Sequence, residues 1–67
     1  MNVIKLRVAM LERGVGVTAL SNKTGISRDT LYRRMKASGC FTIEEASKIK
    51  EALELGEAEA NAIFFGE

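Results

Sequence analysis

A chain of 67 residues makes one small domain with no room for a second functional module. Its single cysteine excludes an internal disulfide, and without any histidine a structural zinc site lacks ligands. A core of this size supplies only about 3–5 kcal/mol, so good helix packing or self-association must carry the fold. The net charge of +1 hides an uneven distribution. Residues 1–40 carry eight basic side chains against two acidic ones, a net +6, whereas residues 41–67 carry two basic ones against seven glutamates, a net −5. A polyanion would be drawn to the first part and repelled by the second. No apolar run approaches the roughly 18 residues of a membrane span, so no membrane partner is expected. The lone thiol and the lack of a signal-like start predict a cytoplasmic protein.

Proline is absent and apolar residues recur at helical spacing, which predicts an all-α fold of about five short helices separated by glycines. In the first, Val3, Leu6 and Met10, with Ile4 and Leu11 beside them, form a broad apolar face that ends at Gly14 and Gly16. A second short helix from Val17 to about Thr24 turns Val17 and Leu20 inward, and Gly25 ends it where a left-handed residue is wanted. Ser27 then caps a third helix by accepting from the amides of Asp29 or Thr30, with Asp29 favourably placed in the positive first turn. Leu31 and Met35, preceded by Ile26, form its buried side.

Gly39 breaks the chain again. Thr42 with Glu45 is a capping box that opens a fourth helix, with Ile43, Ala46, Ile49 and Leu53 on one face and a Glu44–Lys48 pair outside. After Leu55 and Gly56, a last helix from about Glu57 to Phe65 brings Ala60, Ile63 and Phe64 to the core. Phe65 then projects outward as a candidate homodimer contact. Cys40, in the loop before the fourth helix, reads as a small buried hydrophobe, since it has no histidine partner to make it a nucleophile. No enzyme active site, cofactor motif or small-molecule substrate site is visible.

The stretch from Val17 to Lys36 carries the chemistry. A short helix, the turn Thr24-Gly25-Ile26-Ser27 and a second helix follow one another with almost no linker. In a helix-turn-helix of this form the first helix crosses the phosphate backbone and the second lies in the major groove of double-stranded DNA. With Leu31 and Met35 inside, Arg28, Asp29, Tyr32, Arg33 and Lys36 must project outward. Arginine can grip guanine bidentately and a carboxylate can accept from cytosine, so Arg28, Asp29 and Arg33 are candidate base readers, and Tyr32 a candidate for a phosphate or a thymine methyl. Lys23, Ser27, Arg34 and Lys36 are candidate phosphate contacts, which fix register without reading sequence. Asp29 and Arg33 are four apart, and a plain surface ion pair between them stays open.

The phrases Glu-Arg-Gly at 12–14, Thr-Gly-Ile-Ser at 24–27, Asp-Thr-Leu at 29–31 and Ile-Phe-Phe at 63–65, with the spacing of Leu20, Gly25 and Leu31, resemble the Cro and phage-repressor type helix-turn-helix family, often called XRE. The resemblance covers nearly the whole chain. It implies five helices, transcriptional regulation by dimers at two-fold operators, and base reading by the first residues of the third helix, here Arg28, Asp29 and Arg33. Two positions depart from the family pattern. Gly16 and Val17 stand where relatives carry threonine or serine followed by glutamine, so the second helix must reach DNA through Thr18 and its amides instead. Ser21 replaces a small alanine, and its hydroxyl can bond back to a carbonyl. The missing glutamine and the acidic C-terminal part also motivate a rival: a small antirepressor on the same scaffold, whose partner is a repressor protein rather than DNA.

Overall fold

The computed structural model describes residues 1–36 and 41–66. Within them the chain forms α1 (Val3–Glu12), α2 (Val17–Thr24), α3 (Arg28–Lys36), α4 (Ile43–Leu53) and α5 (Glu57–Phe64). There is no strand among the described residues, and the all-α expectation of five helices is met. Gly39 and Cys40, expected as a helix break and a buried thiol, lie outside the described residues.

Each helix starts or stops for a local reason. Asn2 caps α1, its side chain accepting from the Lys5 amide at 3.0 Å. Gly25 ends α2 with φ of 76°, a left-handed conformation that costs a side-chain-bearing residue but not glycine. Its amide donates to the Ser21 carbonyl at 2.8 Å, satisfying one of the helix's last acceptors. Ser27 Oγ accepts from the Thr30 amide at 3.2 Å, the second of the two donors expected for it. At α4 the Thr42 hydroxyl accepts from the Glu45 amide, and the Glu45 carboxylate accepts from the Thr42 amide, completing the capping box.

Leu6, Leu20, Leu31, Ile49 and Ile63, one from each helix, are fully buried and meet in a single core. Ala9, Met10, Ile26, Met35, Leu53, Leu55 and Ala60 surround them. Phe41 closes one end, with its ring edge-on to Phe64 at 6.2 Å and 85°.

Three apolar residues lie elsewhere than periodicity suggests. Ile4 and Leu11, expected beside the inner face of α1, are 75% and 81% exposed. A helix this short buries only one side, and Leu6, Ala9 and Met10 occupy it. Ile43, expected inward on α4, is 83% exposed, while Ile49 and Leu53 of the same helix and Phe41 just ahead of its capping box are buried in the core. Val17 is only half-buried at the start of α2. Helix α5 stops at Phe64, and Phe65 follows it as an exposed C-cap.

Two arginines stitch the helices together. Arg13, just after α1, donates from Nε to the Leu53 carbonyl at 2.6 Å and from Nη2 to Glu59 Oε1 at 2.9 Å, so α1, α4 and α5 share one guanidinium. Nη1 adds contacts to the Ala9 carbonyl at 3.2 Å and to Glu59 Oε2 at 3.4 Å, making the carboxylate grip bidentate. Arg34 places Nε 2.9 Å from Glu45 Oε1, which ties α3 to the capping box of α4.

Candidate nucleic-acid interface

The turn between α2 and α3 is held by side chains that sequence patterning alone assigns to no role or only a loose one. Thr24 is buried, donating from Oγ1 to the Leu20 carbonyl at 2.7 Å and accepting from the Ile26 amide at 3.2 Å. It thus satisfies a helix-end acceptor and a turn donor that would otherwise be stranded away from water. Ser21 Oγ donates to the Ile26 carbonyl at 2.6 Å. The expected bond to a carbonyl is made, but across the turn rather than back along the helix. Ile26, held from both sides, is buried against the core, which fixes where α3 begins.

From that fixed start, α3 buries Leu31 and Met35 and exposes Arg28, Asp29, Tyr32, Arg33 and Lys36. Tyr32, 57% exposed, sits one turn beyond Arg28 on this outer face. Arg28 Nη1 lies 3.5 Å from Thr18 Oγ1, a long contact that brings the start of α3 beside the start of α2. Ser27 Oγ donates to Thr30 Oγ1 at 2.9 Å, and Arg33 Nη2 reaches the same Thr30 oxygen at 3.4 Å. Arg33 therefore leans along its own helix toward Thr30, whose hydroxyl its guanidinium reaches. The result is one surface patch of the exposed Thr18, Ser27, Arg28, Asp29, Tyr32 and Arg33 around a half-buried Thr30, rich in donors. Thr30 is the member that sequence reading missed. Its signal was the Ser27 to Thr30 spacing, which marks a cap but not a hydroxyl that also receives an arginine.

The other candidate phosphate contacts are dispersed. Lys36 is exposed at the far end of α3. Lys23, exposed on α2, lines a shallow depression with Lys48 and Glu51 of α4 and with Glu54 just after it. Arg34, half-buried, has its guanidinium against Glu45. Together with the capture of Arg13 by Glu59, this removes two of the eight N-terminal cations from the field presented outward. The cations remaining on the helix-turn-helix surface are concentrated along α3.

Two short helices in contact, joined by a glycine-centred turn and exposing a polar, basic outer face on the second, define a helix-turn-helix DNA-binding domain. The chain belongs to the family of the Cro/C1-type HTH DNA-binding domain, whose model matches residues 5–62. It is thus a DNA-binding transcription regulator in general terms, of a family whose work is typically binding rather than catalysis. No curated protein and no solved structure matches the chain. Among the described residues no helix is long and apolar enough to cross a membrane.

Proposed function

We propose that this protein is a Cro-like or repressor-type regulator that reads a specific operator with the outer face of α3. The observation that carries the reading is the exposed run Arg28, Asp29, Tyr32 and Arg33 on a helix whose opposite side is locked into the core by Leu31 and Met35. In a major groove, Arg28 and Arg33 are long enough to grip guanine O6 and N7, and Asp29 to accept from a cytosine amino group. Tyr32 serves a thymine methyl or a phosphate. Thr18, Ser27 and the amides at the start of α2 hold phosphates, and Lys36 adds a contact further along. Val17 offers the DNA no hydrogen bond, so the start of α2 acts through Thr18 and its backbone. Lys23, exposed on α2, adds a phosphate contact, whereas Arg34 contributes less because the Glu45 carboxylate already stands beside it.

A single helix of this length covers a few base pairs, so an operator reader works as a homodimer at a two-fold site, with recognition helices about 34 Å apart. Ile43 and Phe65 support a second copy as the partner: both are large, apolar and exposed, and both rim one groove between α4 and α5 with Ala46 and Phe64. The protein acts in the cytoplasm, where its operator is. Titration against the DNA flanking its own coding region, at two salt concentrations with an unrelated duplex as control, tests the reading. Selective binding with a log-log salt slope of about −5, for six neutralised phosphates, is expected. Binding that does not discriminate between the duplexes, or none at low salt, would contradict it and favour a repressor protein as the partner.

A further inference from the structure

Helix α1 is apolar on two opposite sides. Leu6, Ala9 and Met10 face the core, and diametrically across from them Ile4, Val8 and Leu11 face outward. Val8 is 47% exposed and its two neighbours more so. The three are four and three apart, the spacing at which side chains of two helices mesh. A helix serving only as a wall of the core would carry polar residues there.

The charges on α1 run against its own dipole. Lys5 and Arg7 occupy its first half, near the positive N-terminal end, and Glu12 occupies its negative C-terminal end, with no acidic residue in the first turn and no basic one in the last. Arg13, the C-cap, donates to the Ala9 carbonyl and lies 3.8 Å from Glu12, but its guanidinium is shared with Glu59 and the Leu53 carbonyl, so it offsets Glu12 only in part. Lys5 and Glu12, two turns apart, rim the same side of the stripe, along a groove that α1 makes with Ala62 and Ile63 of α5.

From these observations we infer that the outer face of α1 is a self-association surface, and that its occupant is the same helix of a second copy running antiparallel about a two-fold axis near Val8. That arrangement places Lys5 of each copy opposite Glu12 of the other, makes two identical ion pairs, and sets each misplaced charge beside the complementary end of its neighbour's dipole. Ile4 of each copy meets Leu11 of the other, and Val8 meets Val8. On the far side of the stripe Arg7 approaches its own copy and stays solvated. A parallel pairing could match Arg7 with Glu12, but it leaves Lys5 unmatched and sets like helix ends side by side. Three apolar side chains per copy cover far less than the roughly 1,200 Å² of a stable interface, so the association is weak and matters where copies are crowded. Copies bound to neighbouring DNA sites are crowded in this sense. The inference does not depend on the operator reading. If the Ile43 and Phe65 face joins one pair of copies, the α1 face joins pairs into a row.

A dilution series of the full chain followed by amide NMR, with sedimentation equilibrium alongside, tests this. Shifts at residues 4–12 that titrate in the high micromolar to millimolar range, separately from any at Ile43 and Phe65, are expected. Val8→Glu should abolish them. Lys5→Glu or Glu12→Lys should each weaken association about tenfold, because two exposed pairs turn from attraction to repulsion. The double variant Lys5→Glu/Glu12→Lys should restore it, and an equimolar mixture of the two single variants should associate as wild type does. All these positions are exposed, and thermal melts would show that the variants fold. A wild type with no concentration dependence up to millimolar overturns the inference, as do single variants that associate normally or a double variant no better than the singles. Loss on Phe65→Ser with α1 variants unaffected would move the face to α4–α5 and overturn it equally.

Discussion

The outer face of α3 and the seam around Arg13 use the same side chain in opposite ways. On α3, Arg28 and Arg33 stand exposed, with long contacts to the hydroxyls of Thr18 and Thr30 at 3.5 and 3.4 Å. In the seam, Arg13 is enclosed by a carboxylate and two backbone carbonyls drawn from α1, α4 and α5. The first pair keeps its donors available for an incoming acceptor, whereas the second has spent them on the fold. Charge counted along a sequence does not separate these uses; a partner's position does. The basic N-terminal half is therefore less basic as seen from outside than its composition suggests, and what remains is focused on one helix.

The strongest way to break this division is to remove what fixes α3 from beneath. Leu31 is fully buried, and Leu31→Ala should cost about 2–5 kcal/mol in denaturant unfolding, taking DNA binding with it through the fold. Arg13→Ala comes next. The Leu53 carbonyl loses its 2.6 Å donor and Glu59 its partner, so a loss of about 1–3 kcal/mol is expected, toward the lower end because the side chain is partly exposed. The same change at Arg28 should leave the melting temperature within the error of a surface substitution. If Arg28→Ala destabilised the fold as much as Arg13→Ala, the distinction between the two regions would fail.

A smaller effect, of opposite sign, is expected at the end of α4. Glu54 caps that helix with φ of 55°, a left-handed conformation unfavourable for a residue with Cβ, and its negative charge sits at the negative end of the dipole. Glu54→Gly should stabilise by about 1 kcal/mol, read as a higher denaturant midpoint. The smallest effect concerns pH. The Lys50 ammonium, hydrogen-bonded to the Glu57 carboxylate, holds that carboxyl below its ordinary value of 4.5. A depressed folded-state value means the pair's contribution is present above that ordinary value and is lost as pH falls through the lower one. Lys50→Met should therefore lower stability slightly at pH 7 and leave it nearly unchanged at pH 3, flattening the acid limb. Circular dichroism melts from pH 7 to 3 would read it.

What could be read from the sequence was governed by contacts close along the chain. Gly25, the Ser27 cap, the Thr42 and Glu45 box and the inward pair Leu31 and Met35 all act within four residues, and each is where local chemistry predicts. The candidate base readers follow from the same logic, since an inward Leu31 leaves their side of α3 outside. Arg13 and Glu59 are 46 residues apart, and nothing local marks them as partners. Ile4, Leu11 and Ile43 mislead for a related reason: periodicity identifies which residues share a side, but only the neighbouring helices decide which side is covered. Phe41 shows the complement, an apolar residue outside any helix that nonetheless closes the core.

The most direct test of the central claim is a pair of substitutions on α3 assayed against a set of operator variants. Arg33→Ala should lose about 1–3 kcal/mol on the cognate site and relax discrimination at one base pair, while Lys36→Ala weakens all duplexes alike and reduces the salt slope by about one. If Arg33→Ala instead lowered affinity uniformly, with every base preference intact, the outer face of α3 would be holding the backbone rather than reading sequence, and the account would be contradicted.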